Sequence, residues 1–67
     1  MIEQTARDYV KQAYRDGKKP SFYAAEKSLK RGMIWQTMEE CRYNQSDVAK
    51  ALGINRTTLR SWIGQVF

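Results

Sequence analysis

Sixty-seven residues leave room for one domain, residues 1–67, and a chain this short buries only about 60% of its unfolded surface, so a lone protomer is marginal. One cysteine and no histidine exclude an internal disulfide and a zinc-finger ligand set, which leaves oligomerisation as the expected route to stability. Twelve Lys and Arg against seven Asp and Glu give a net charge of +5 and a pI near 9.7, a balance that favours a polyanionic partner. The charge is dispersed. Residues 1–20 carry five basic and three acidic groups, residues 21–43 four and three, and residues 44–67 three and one. Any positive patch must therefore be assembled by folding or by symmetry. No apolar run approaches the roughly 20 residues of a membrane span, and no signal-peptide pattern opens the chain. A soluble, cytoplasmic protein is expected, with no membrane partner.

Residues 2–16 predict an amphipathic helix. Ile2, Ala6, Tyr9, Val10, Ala13 and Tyr14 follow the helical period, while Glu3, Arg7, Asp8, Lys11, Arg15 and Asp16 fill the other face. Gly17 ends it. Lys18, Lys19 and Pro20 form a basic connector, because Pro20 cannot continue a helix and biases Lys19 toward extended backbone. The two lysines are either phosphate contacts or a solvated loop. Residues 1–19 thus read as an extra N-terminal helix and connector, free to engage a protein partner through residues 2–16.

Ser21 is an N-cap candidate for a second helix over 22–31, striped by Phe22, Ala25 and Leu29. Gly32 is expected to break or kink the path, and a third helix follows over about 33–42. There Ile34, Met38 and Cys41 share one side, and Met33, Trp35 and Tyr43 widen the apolar area. Cys41 reads as a small core residue. Residues 20–43 hold more hydrophobic surface than so small a core needs. A homodimer interface over 22–42 would cover the excess; the alternative is that the N-terminal helix covers it within the chain.

Residues 44–63 predict a helix, a tight turn and a second helix. Asn44 caps the first, its side chain accepting from the backbone N–H of Ser46 or Asp47, and Asp47 suits the helix dipole. Val48, Ala49 and Leu52 line one face. Gly53 follows where the chain must take a positive φ, and Ile54 plugs the turn. Asn55 caps the next helix, 55–64, whose Leu59, Trp62 and Ile63 face the first. Trp62 is therefore assigned to the core. No pattern alternates with period two, so the chain is all-α, about five helices ending in a helix-turn-helix of the kind that binds DNA. Any αα-hairpin shares the helix, stop and helix. It does not explain an outer face of Asn55, Arg56, Thr57, Thr58, Arg60 and Ser61 with no acidic residue among them.

At Asn44, Gln45, Ala49, Leu52, Gly53, Ile54, Asn55, Arg56, Thr58, Leu59 and Arg60 the chain resembles the DNA-binding domain of the Fis family (factor for inversion stimulation), shared with the C-terminal domains of enhancer-binding activators. The likeness extends over about residues 20–63, strongest in 44–60. It implies a homodimer whose second and third helices intertwine, with each recognition helix in a major groove. It also implies DNA contacts from Asn55, Arg56, Thr58 and Arg60, and phosphate contacts from Asn44 and Ser46. The family's main nucleoid protein continues with a lysine-rich recognition helix, whereas this chain reads Ser61-Trp62-Ile63-Gly64-Gln65-Val66-Phe67, which lowers expected non-specific affinity. A helix stands where that protein has a β-hairpin arm, so recombination enhancement is not implied. Small phage and mobile-element proteins are nearer in size, placing the chain in a bacterial nucleoid or, if phage-encoded, the host cytoplasm.

The residues themselves suggest how DNA would be held. Arg56 can reach guanine O6 and N7 bidentately, or grip a phosphate. Thr57 and Thr58 can meet a thymine methyl or a phosphate, Arg60 a phosphate, and Ser61 a base or backbone atom. Lys50 is a phosphate contact or simply solvated. No His, no acid paired near a nucleophile, no phosphate-cradling Gly loop and no metal-ligand cluster is present, so neither catalysis nor a cofactor or metal is expected. The expected function is a dimeric, sequence-preferring double-stranded DNA-binding protein, a transcriptional regulator or architectural DNA-bending factor. The alternatives are a protein–protein adaptor or antirepressor docking through the helix-turn-helix, and a DNA-packaging recognition subunit.

Overall fold

The computed structural model describes residues 2–67. Four helices run through them: α1 (Ile2–Arg15), α2 (Phe22–Glu40), α3 (Gln45–Leu52) and α4 (Arg56–Val66). The class is all-α as expected, but four helices replace the expected five or so. The two helices separated at Gly32 are one. Gly32 does not adopt a positive φ, and a glycine inside a helix costs only about 1 kcal/mol relative to alanine. Side-chain pairs one turn apart flank Gly32 on both sides: Lys30 Nζ lies 3.4 Å from Glu26 Oε1 before it, while after it Trp35 Nε1–H donates to Glu39 Oε1 at 3.1 Å and Gln36 Nε2–H to Glu40 Oε1 at 3.1 Å. Burial of Ile34 fixes the far half of α2 on the core.

α2, α3 and α4 each pack on the other two. Ile34 from α2, Val48 and Ala49 from α3, and Leu59 and Val66 from α4 are buried together, with Met38, Cys41, Leu52, Ile54, Trp62 and Ile63 half-buried around them. Fully burying a side chain such as Ile34, Val48 or Leu59 stabilises by about 1.5–3 kcal/mol. Cys41 is a free, half-buried thiol packed at that edge.

The boundary between α2 and α3 contains no glycine. α2 ends at Glu40, slightly before the expected residue 42, and Arg42 and Tyr43 both take positive φ, 53° and 65°. The left-handed region costs an ordinary residue about 1–2 kcal/mol. Here the turn is held by Tyr43 N–H donating to Met38 O at 2.8 Å and Asn44 N–H to Cys41 O at 3.1 Å.

α1 stands apart. It packs on none of the other three helices, so the alternative in which it covers the apolar surface of α2 within the chain is not met. Its C-terminus closes at Gly17, with Lys18 N–H donating to Ala13 O at 2.8 Å. Tyr9 ties α1 to the start of α2: its hydroxyl donates to Ser21 O at 3.2 Å and accepts from Ser21 N–H at 3.1 Å. Ser21 in turn caps α2, its Oγ accepting from Ala24 N–H at 3.1 Å.

Candidate nucleic-acid interface

The geometry of the site arises from two caps and a glycine. Asn44 Oδ1 accepts from Asp47 N–H at 3.2 Å, starting α3. Gly53 then leaves the helix at φ 69°, the left-handed conformation that glycine adopts without a Cβ penalty. Gly53 N–H donates to Lys50 O at 3.2 Å and Ile54 N–H to Ala49 O at 3.0 Å, so the last carbonyls of α3 are satisfied and Ile54 is turned toward the core. Asn55 is extended at φ −84°, ψ 164°, and its Oδ1 accepts from Thr58 N–H at 2.7 Å, starting α4. Each cap uses the amide oxygen and leaves the side-chain NH2 able to donate.

α4 divides cleanly. Leu59 and Val66 are buried and Trp62 and Ile63 half-buried on one side, while Asn55, Arg56, Thr57, Arg60 and Ser61 are exposed. Arg56 with Arg60, and Thr57 with Ser61, stand one turn apart, and Thr57 with Arg60 three residues apart, so these four share one continuous face. Thr58 is half-buried at its flank. Gln65 Nε2–H donates to Ser61 Oγ at 3.3 Å and continues the polar face by a turn. Gln65 did not figure among the sequence candidates, although its i, i+4 spacing from Ser61 carried the signal. Of the residues on α3, Asn44 is exposed and Ser46 half-buried in the first turn.

The electrostatics of this face differ from those of an ordinary solvated helix. Arg56 occupies the first turn of α4, where the helix macrodipole is positive and a cation is disfavoured by about 0.3–1 kcal/mol. Among the described residues no carboxylate pairs with Arg56 or Arg60, and α4 contains no acidic residue. Lys50, by contrast, sits in the last turn of α3, where the dipole favours it. Free N–H groups, a positive helix end and an unpaired guanidinium together make a site for anionic oxygen.

Trp62 is on the core side as expected. Lys30 Nζ lies over its ring, 4.7 Å from the centroid, so the indole is covered from α2 and turned away from the polar face. Val66 extends the buried stripe, and α4 runs to that residue, two beyond the expected 64.

A family model described as bacterial regulatory protein, Fis family, matches residues 29–61. The chain carries a Fis-family helix-turn-helix domain. The matched segment begins inside α2 at Leu29 and ends on the polar face of α4 at Ser61, and it leaves out all of α1. It is narrower than the likeness read from the sequence over about 20–63. No curated protein and no solved structure matches the chain.

Proposed function

We propose that this Fis-family domain acts as a homodimeric, sequence-preferring binder of double-stranded DNA, with α4 of each protomer in a major groove. The observation that carries the reading is Arg56, an unpaired cation kept at the helix end where folding alone disfavours it, at the head of a polar face without acid. Phosphate or guanine is the partner that makes such a placement favourable.

In this reading Arg56 specifies, donating bidentately to guanine O6 and N7. Arg60 grips phosphate from the next turn, and Thr57, Thr58 and Ser61 meet a thymine methyl, a base edge or the backbone. Asn55 and Asn44 cap their helices with oxygen and donate to phosphate with nitrogen, and Ser46 adds a phosphate contact at the start of α3. A dimer through residues 22–42 supplies two such faces and doubles the positive charge. Phe22, Tyr23, Leu29, Met33 and Trp35, all exposed on α2, support an interface there. Two-fold symmetry calls for an inverted-repeat site with half-sites about one helical turn apart, and DNA that bends to meet both faces. A protein of this kind regulates transcription or organises DNA in a bacterial nucleoid or, for a phage-encoded chain, the host cytoplasm.

The test is selection from genomic fragments with purified protein, followed by mobility shifts from about 50 to 200 mM salt and mass determination by light scattering. An enriched inverted repeat, an affinity falling steeply with salt, and a dimer mass are expected. A flat salt response would overturn the reading and leave an apolar protein-docking role.

A further inference from the structure

A helix about 10–12 Å across fills a major groove about 12 Å wide, so both of its margins face a sugar–phosphate backbone. On α4 the two margins differ. At about 100° per residue, Arg56 and Arg60 stand where the polar face meets Ile63, and Ser61 and Gln65 stand where it meets Trp62. The first margin carries two guanidiniums. The second has no cation of its own, since α4 holds no basic residue in its last turn.

α2 brings cations to that second margin. Lys30 Nζ lies over the Trp62 ring, 4.7 Å from its centroid. A cleft of about 190 Å³ opens between the start of α2 and the end of α4, lined by Tyr23, Glu26, Lys27, Lys30, Gln65 and Val66. Gln65 belongs to the cleft and to the polar face at once, because its Nε2–H donates to Ser61 Oγ at 3.3 Å. The polar face of α4 therefore runs into the cleft.

The charges there do not cancel. Glu26, the one carboxylate lining the cleft, is paired with Lys30 at 3.4 Å, so its charge is offset before any phosphate arrives. Lys27 is exposed, and among the described residues no carboxylate lies within ion-pair distance of it. Cations near the C-terminal end of a helix also offset its dipole, but Lys30, held between Glu26 and Trp62, already supplies one. Lys27 is left over. It stands on the far side of α2 from Phe22, Leu29 and Met33, so a dimer through those exposed side chains leaves it open.

We propose that Lys27 is a phosphate contact made from α2. With α4 in the major groove, its ammonium takes a phosphate of the strand bordering the Trp62 margin, opposite the strand that Arg60 grips. The Gln65 amide and the Tyr23 hydroxyl can donate to the same backbone. An ammonium on a flexible stem carries no base preference, so Lys27 adds affinity and holds α4 in register between the two strands. The inference rests on the proposed DNA-binding reading and adds a second helix to the contact.

The test measures binding of the full chain to a duplex selected by the wild type and to an unrelated duplex, from about 50 to about 200 mM salt. Lys27→Gln should weaken both by the same factor and flatten log affinity against log salt by about 0.9 for each protomer bound. Its deficit should therefore shrink by about 3.5-fold per protomer across that salt range. Lys27→Arg should keep the wild-type slope. Lys11→Gln, which removes the same charge from α1, should keep it too. A Lys27→Gln slope equal to wild type would overturn the contact, and a lowered melting midpoint beside it would assign Lys27 to the fold instead. Equal flattening by Lys27→Gln and Lys11→Gln would also overturn it, as an effect of net charge alone. In these cases the wild type still binds steeply and the reading of α4 stands; a wild type insensitive to salt would overturn both.

Discussion

α1 and α4 are both amphipathic helices, of 14 and 11 residues, and they meet different fates. α4 buries Leu59 and Val66 against α2 and α3; α1 buries nothing in its own chain. Their outer faces differ too. On α1 acidic and basic groups alternate, and Asp8 accepts from Gln4 Nε2–H at 2.9 Å. On α4 Arg56 and Arg60 stand without an acid. An apolar stripe says that a helix needs a cover, and the charge opposite says what else it meets. α4 has its cover within the chain and turns an uncompensated basic face outward. α1 has an ordinary solvated face and an apolar one still to be covered.

The largest expected effect separates the two buried states. Leu59→Ala should destabilise the folded chain by about 2–5 kcal/mol in urea unfolding, by the same amount at every protein concentration. Val10→Ala should cost little, because Val10 is exposed on a helix that packs on none of the others. Equal losses would erase the contrast.

Next in size is the contrast between outer faces. Arg56→Ala should weaken DNA binding by about 1–3 kcal/mol and relax preference at one base pair per half-site, while leaving the fold intact. Lys11→Ala on α1 should change affinity less than twofold. Comparable losses at both sites in fluorescence titrations would mean that α1, too, lies on DNA.

The smallest effects come from two glycines that read alike in the sequence. Alanine at Gly53 must occupy φ 69° and should cost about 1–2 kcal/mol. Alanine at Gly32 meets open space in a helix interior and should gain about 0.5–1 kcal/mol. Each kcal/mol should move the melting midpoint by about 4–8 °C in a domain of this size. Shifts of the same sign would contradict the continuous α2.

The helix-turn-helix was legible because its instructions are local. Asn44 and Asn55 cap through N–H groups three residues on, Gly53 turns the chain through carbonyls within five residues, and Val48, Ala49, Leu52, Leu59, Trp62 and Ile63 repeat at helical spacing. Such features depend on neighbours in sequence, so the sequence by itself determined two capped helices, their turn and the polar face between Asn55 and Ser61. Only the tertiary structure decided that Gly32 is spanned, because Ile34 is anchored by α3 and α4. It likewise decided that Arg42 and Tyr43 take the turn without glycine, that Lys30 covers Trp62, and that α1 stands away from the body. These depend on which residues distant in the chain come to touch, and helical spacing along one segment carries no record of that.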